Sequence, residues 1–306
     1  MRIIVNGQQA FGKGVLDALL ERGDEVVGVY CGPDPANGRV DPIKEAAVGH
    51  GLPVFQPRSF KEPEVWEQMR SLAPDLCVMA YVTLFVPEDA LNIPTRGSIQ
   101  YHPSLLPRHR GGSSINWPII WGEKKTGLSI FWPDNGLDTG PVLLQKEVPI
   151  KDTDTLGSLY FQQLFPLGVA AMLEAVDRVK AGDAPKVAQD HAQATYEGWC
   201  RDPLVAINWH LPLQRVWDLV RGCDPQPGAW TTLKGTPVKL YDCGKLSEAL
   251  SVQPGTVTAV DEQGFAIATA DGQLRVGRVR ARGGRKIAAA EFAAEAELRA
   301  GSRFGN

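Results

Sequence analysis

The apolar positions of this chain change rhythm several times, and the changes mark its elements. Residues 2–6, with Ile3, Ile4 and Val5 in a row, read as a first buried strand. Phe11, Val15, Ala18 and Leu19 then recur at helical spacing until Gly23 stops the pattern. Residues 25–30 read as a second strand. A loop over 31–42 holds Pro33, Pro35, Asn37 and Gly38, and a short helix to Gly51 and a strand around Val54 follow. Helical spacing returns over 60–72, an apolar strand over 75–81, a turn or short helix over 84–92 and a strand over 97–101. The run 75–81 is apolar on both faces, as expected of a strand covered on both sides. Residues 113–121 suit a helix, 126–132 and 142–150 suit strands, and 154–181 suit one long helix capped by Asp154 or Thr155 and closed by Gly182. Strands alternating with helices at this interval predict an α/β domain with a doubly wound, mostly parallel sheet.

Beyond Gly182 the periodicity fades, which places a linker over 183–203 between a domain of residues 1–182 and a smaller one of residues 204–306. A helix over 212–222 leads into short strands at 229–232, 238–241, 256–260, 265–268 and 274–281, a spacing that predicts a small C-terminal β-barrel-like domain. In the last strand Leu274 and Val276 share one parity while Val279 and Ala281 share the other, so a bulge is expected at Gly277.

Composition narrows the function classes only a little. The chain has 306 residues, 43% hydrophobic and 22% charged, with a formal charge of -3, which gives no general pull toward nucleic acid or an anionic membrane. The apolar run after Met1 is too short for a signal-peptide core, and no apolar run approaching about 18 residues is read along the chain, so a cytoplasmic, non-membrane protein is expected. Cys31, Cys77, Cys200, Cys223 and Cys243 are odd in number and never at metal-ligand spacing. Free, mostly buried thiols and no bound metal are the expectation. Gly7, Gly12 and Gly14 miss the G-x-G-x-x-G spacing, which argues against a dinucleotide.

Candidate chemistry gathers between residues 98 and 140. His102 ends one strand, and Asp138 sits in the turn Asn135-Gly136-Leu137-Asp138-Thr139-Gly140 after another. An imidazole and a carboxylate at the carboxyl ends of strands are what proton transfer at a sheet edge needs. The full run His102-Pro103-Ser104-Leu105-Leu106-Pro107, then Arg110-Gly111, then Asp138-Thr139-Gly140, resembles the signature of the folate-dependent formyltransferases. That family includes methionyl-tRNA formyltransferase, sugar N-formyltransferases and the hydrolase domain of 10-formyltetrahydrofolate dehydrogenase. Gly7-Gln8, Ile115-Asn116-Trp117, Ser129-Ile130-Phe131-Trp132, the run Leu143 to Glu147, Ala194-Thr195-Tyr196-Glu197-Gly198 and Pro227-Gly228-Ala229-Trp230 are most similar to the hydrolase domain.

The resemblance implies a Rossmann-like formyl-transfer domain followed by a barrel-like one, with 10-formyltetrahydrofolate as co-substrate. It also implies a catalytic trio of Asn, His and Asp, matched here by His102 and Asp138, with Gln100 where the transferases have Asn. Folate contacts are implied, mostly from backbone, at Met79, Tyr81, Phe85, Leu91, Pro133, Asp134, Gly136 and Leu137, and an anion contact or a structural carboxylate pair at Arg110. Ser104 to Pro107 would hold the backbone around His102, and His109 would lie at the surface or behind the reacting groups.

The acceptor reads first as a small-molecule amine, with water, which would make the protein a hydrolase, as the alternative. Transfer to tRNA is disfavoured, because the family's tRNA enzymes carry a basic insertion after the second strand, where residues 31–41 here have Arg39 alone. The basic run Arg275, Arg278, Arg280, Arg282, Arg285 and Lys286 keeps that reading open, although one charged face of a solvated strand accounts for most of it. A folate-binding protein made inactive by Gln100 is the remaining alternative.

Overall fold

The computed structural model describes residues 1–34, 38–246 and 251–305. Pro35 and Asn37 of the expected loop lie outside them. The first part of the chain runs β1 (Arg2–Gly7), α1 (Gln9–Glu21), β2 (Glu25–Tyr30), α2 (Pro42–Gly49), β3 (Val54–Phe55), α3 (Pro63–Ser71), β4 (Leu76–Ala80), α4 (Glu88–Leu91), β5 (Ser98–His102), α5 (Asn116–Ile120), β6 (Lys125–Phe131) and β7 (Val142–Pro149). These seven strands form one sheet in the order β3-β2-β1-β4-β5-β6-β7. Neighbours from β3 to β5 are parallel and β5 pairs β6 antiparallel, the doubly wound, mostly parallel sheet the spacing predicts.

Side chains alternate across each strand and so build two cores. Ile3, Val5, Val78, Ile99 and Tyr101 face one side, where Phe11, Val15, Leu16 and Leu19 of α1 cover them. Each such fully buried side chain contributes about 1.5–3 kcal/mol. Ile4, Tyr30, Cys77 and Met79 face the other side, under Val65 and Met69 of α3 and Ala90 and Leu91 of α4. By the same alternation Gln100 and His102 point to this second side, at the carboxyl end of β5. The helix α3 begins at Pro63 rather than near Phe60, since proline suits a first helical turn, where its missing N–H is not needed.

Three local expectations are corrected. The long helix is α6 (Leu156–Leu159), a π turn (Tyr160–Leu164) and α7 (Phe165–Ala181), and the widened turn lies just before Pro166, which has no N–H to close the ladder. That stretch, Leu156–Ala181, is also long and apolar enough to cross a membrane by length and composition, contrary to the reading of no such run. Its α7 part buries Ala171, Met172, Ala175, Val176 and Val179 against the first core, which gives its apolar face a structural cause. Residues 183–196 are no bare linker. Val187 forms a bridge with Val142, Tyr196 one with Arg110, and the Trp132 indole donates to Pro185 O at 2.9 Å.

The chain divides into two compact units, residues 1–111, 127–148 and 161–196 in one and 112–126, 149–160 and 197–306 in the other. The second unit holds α8 (Leu213–Gly222) and the strands β8 (Trp230–Leu233), β9 (Thr236–Leu246), β10 (Val257–Asp261), β11 (Gly264–Ala268), β12 (Gln273–Ala281) and β13 (Ile287–Ala288), then α9 (Ala289–Glu295). Its sheet runs β10-β11-β12-β9-β8, with β13 on β12. Phe304 bridges Leu233 of β8 and Arg303 bridges Thr256 beside β10, so the end of the chain links the two outer strands and gives the sheet its barrel-like closure. The expected bulge at Gly277 is not an inserted residue. The β12–β9 register continues unchanged from Leu274↔Lys245 to Ala281↔Val238, and Asp242 takes φ 49° opposite Gly277, so both strands turn over together.

The five cysteines are free, and all but Cys243 are buried. Burial pushes the Cys31 thiol up to about 11 and the Cys77 thiol up to about 12.

Candidate active site

The strand β5 ends at His102, and the chain then doubles back through a buried turn that returns to it. The His102 imidazole lies with Nε2 2.8 Å from the carbonyl of His109, seven residues on. A carbonyl oxygen only accepts, so Nε2 carries the hydrogen and Nδ1 is left facing the second partner. That partner is Asp138, whose Oδ2 lies 3.5 Å from Nδ1. The same carboxylate oxygen accepts the Gly111 N–H at 2.8 Å. Both side chains are buried.

An imidazole and a carboxylate brought this close are the groups that a general acid-base step can use.

Several polar side chains hold this turn in place. Ser104 Oγ donates to Arg108 O at 2.6 Å, and Ser129 Oγ donates to Ser104 O at 2.7 Å and accepts from Leu106 N–H at 3.1 Å. Gln145 Nε2 donates to Leu106 O at 2.8 Å. The expectation that Ser104 to Pro107 frames the backbone agrees with these bonds. On the far side Thr195 takes the His109 N–H on its hydroxyl at 2.8 Å and the Arg110 N–H on its carbonyl at 3.0 Å.

The Asp138 loop is shaped by its own turn chemistry. Asp134 Oδ1 accepts the Gly136 N–H at 3.0 Å and the Thr139 hydroxyl at 2.5 Å, and Asp138 sits at φ 54°. At Gly140 a Cβ would lie 1.8 Å from Trp132 O, so only glycine lets the loop close. Asn135 joins this loop to α4 twice, accepting from Glu88 N at 3.2 Å and donating to Glu88 Oε2 at 2.7 Å. The two stretches expected to meet folate are thereby tied together.

The remaining expected residues fall into three groups. Gln100 lies two residues before His102 on the same side of β5, opposite Met79 and Phe131. Met79 and Leu91 bury their side chains in the second core, so only their backbone is available to a ligand. Tyr81, Phe85 and Leu137 expose 47%, 52% and 60% of their surface, and Pro133, Asp134 and Gly136 lie half-buried or exposed in the loop beside Leu137. These three apolar side chains are held out at loops, and exposed apolar surface of this kind is what ligand sites use.

Arg110 is a correction. Its side chain is 2% exposed, and the guanidinium donates to Gln189 Oε1 at 2.6 and 3.1 Å, to Tyr196 Oη at 2.6 Å and to His191 Nδ1 at 3.1 Å. It is an internal anchor and is not presented to an anionic substrate. His109 is buried rather than at the surface, and it serves through its backbone carbonyl. Sequence reasoning missed Gln189, His191 and the backbone N–H of Gly111. The run Ala194 to Gly198 was the signal near them, since a strap matching a known family sits where periodicity reports only a linker.

Among the described residues no cluster of His, Cys, Asp and Glu is placed to hold a metal. The formyl transferase model matches residues 1–176, and the model of the formyl transferase C-terminal domain matches residues 204–297. The chain is 39% identical over 308 residues to mitochondrial 10-formyltetrahydrofolate dehydrogenase of Mus musculus, covering 95% of this chain but 33% of that protein, so it spans about a third of that relative. It is 37% identical to methionyl-tRNA formyltransferase of Trichlorobacter lovleyi, covering 98% of this chain and 96% of that one. The fold matches HypX from Aquifex aeolicus, solved in complex with tetrahydrofolic acid, with a TM-score of 0.72 at 21% identity over 96% of this chain and 47% of that one. With both domain models matched and a relative covered almost end to end, the chain belongs to the folate-dependent formyl transferase family.

Proposed function

We propose that this protein takes the formyl group from 10-formyltetrahydrofolate and delivers it to the amine of a small molecule, with His102 and Asp138 as the acid-base pair. The observation that carries this reading is the buried pair of His102 and Asp138 at 3.5 Å. The carrier supplies a formyl carbon bonded to a nitrogen that departs once it gains a proton. The pair accepts the proton that the attacking nucleophile loses and returns it to the departing nitrogen. Gln100, on the same side of β5, is positioned to offer its amide N–H to the formyl oxygen, and Tyr81, Phe85 and Leu137 give apolar surface to the flat ring of the carrier.

A second reading, with water as acceptor, is favoured by the likeness to 10-formyltetrahydrofolate dehydrogenase over 95% of this chain. The likeness to a methionyl-tRNA formyltransferase keeps tRNA as a third outcome. Against it, the basic run of β12 and the turn after it is partly neutralised within the protein, since Arg275 pairs with Asp261, Arg278 approaches Asp242 at 3.9 Å and Lys286 approaches Asp224 at 3.8 Å.

One assay separates the three. The protein is incubated with 10-formyltetrahydrofolate alone, with a panel of small amines, and with methionyl-tRNA, and release of tetrahydrofolate is followed. Turnover that depends on an added small amine is the expected result. Turnover with no acceptor supports the hydrolase, and stimulation by methionyl-tRNA alone overturns the small-amine assignment. Binding of folate with no turnover under any condition identifies an inactive folate-binding protein.

A further inference from the structure

One buried side chain that the proposed mechanism does not use touches both halves of the reacting site at once. Gln189, in the strap after α7, is almost fully enclosed. Its Oε1 accepts two N–H groups of Arg110, at 2.6 and 3.1 Å, and its Nε2 donates to Asp138 O at 3.0 Å and to Gly140 O at 2.6 Å. The orientation of the amide is dictated by its neighbours, because a guanidinium only donates and a carbonyl oxygen only accepts. All four bonds are made by one carboxamide, and no side chain that lacks a carboxamide can make this set. Glutamate would turn an acceptor toward two carbonyls, and an apolar residue of the same size would leave the guanidinium and the loop unlinked.

What the amide joins gives it a consequence for chemistry. Arg110 lies between His109, whose carbonyl holds His102 Nε2, and Gly111, whose N–H holds Asp138 Oδ2. The other end of the amide grips the backbone of Asp138 itself and of Gly140. We infer that Gln189 is a positioning residue: through Arg110 on one side and the Asp138–Gly140 backbone on the other, it sets the separation of the His102 imidazole from the Asp138 carboxylate. Tyr196 and His191, from the same strap, each hold one further guanidinium N–H and keep Arg110 from turning away. The strap thus acts as a clamp on the acid-base pair. This inference rests on the assignment of His102 and Asp138 as that pair.

The test compares Gln189→Met, which keeps the size and removes all four bonds, and Gln189→Glu, which keeps the acceptor toward Arg110 and removes the donor toward the loop. Both are measured with His102→Ala in the tetrahydrofolate-release assay, with thermal unfolding alongside. A displacement of about 1 Å between reacting groups costs on the order of 10²-fold. The expected result is a fall in kcat of that order for both Gln189 variants at saturating folate, with KM changed by no more than about two-fold. A purely structural role lowers the unfolding temperature and leaves kcat per folded molecule where it was, and that result overturns the inference. Should Gln189→Met fail to fold, Gln189→Glu decides alone, and wild-type kcat in it counts as refutation. Full activity in His102→Ala refutes the underlying assignment. An inactive His102→Ala beside fully active Gln189 variants refutes only the clamp.

Discussion

The segment from His102 to Gly111 and the segment from Tyr81 to Leu91 leave neighbouring parallel strands at the same end of the sheet, and they are built in opposite ways. The first buries His102, Ser104, Leu106, His109 and Arg110, and its backbone is held from several sides by Ser104, Ser129, Gln145 and Thr195. The second keeps Val86, Ala90 and Leu91 inside and holds Tyr81 and Phe85 out, with its polar ties, to Gln8 and Asn135, near the surface. On the proposed function the first segment holds the proton-transfer pair, which tolerates little displacement and needs fixed groups around it. On the same proposal the second is a ligand rim, which must meet an incoming flat molecule and leaves apolar surface in water until it does.

The contrast breaks first at the reacting groups. His102→Ala and Asp138→Asn are expected to lower kcat by about 10²–10⁴-fold each while folate binding, read by fluorescence titration, persists. Loss of binding together with rate would mean that the buried segment also carries the ligand.

Next in size is Gly140→Ala, where the added methyl meets Trp132 O. The loop must move, so about 3 kcal/mol of stability by denaturant titration and most of the activity are expected to go together. Wild-type activity in that variant would show that the Asp138 loop need not be held so closely.

The rim sharpens the comparison from the other side. Tyr81→Ala and Phe85→Ala should raise KM for 10-formyltetrahydrofolate by about ten-fold, roughly 1.4 kcal/mol, with little change in kcat or unfolding temperature. A stability loss with unchanged KM would move these rings from rim to core.

The smallest effect lies away from both segments. Burial works to raise the Asp24 carboxyl, but hydrogen bonds from Lys180 and Arg22 outweigh it and hold the group below its ordinary 3.8. A depressed carboxyl contributes stability above its ordinary range and loses it as pH falls through the lower, folded value. Asp24→Asn should therefore cost about 1 kcal/mol at neutral pH, with the gap to wild type closing below about pH 3.8 and kcat unchanged. A constant gap at all pH values would assign the cost to packing instead.

The strands and helices of the α/β unit were legible because each is a local pattern. β2 begins and ends where the apolar run does, α1 stops before Gly23, and His102 stands at a strand end as the run 97–101 implies. The strap was not legible, because Gln189 and Tyr196 are held by bonds to residues about 50 to 90 positions away and follow no period of their own. Arg110 was misread for the same reason. A buried guanidinium and one offered to a substrate look alike until their partners are known. β13 and α9 lay past the last clear alternation, in a stretch rich in alanine and glycine that carries little periodic signal.

By itself the amino-acid order determined the succession of elements, the split between a mostly parallel α/β sheet and a smaller β-rich unit, and the motif that resembles the formyl transferase signature. Spacing of apolar residues acts over one or two turns, and a motif is a string of neighbours, so both can be read without knowing what touches what. Only the tertiary structure decided that His102 and Asp138, 36 positions apart, converge to 3.5 Å, that Arg110 turns inward, and that Gln189 closes the ring around them. Those contacts depend on sheet register and on the path of the strap, which arise from the packing of the whole unit and from no local stretch.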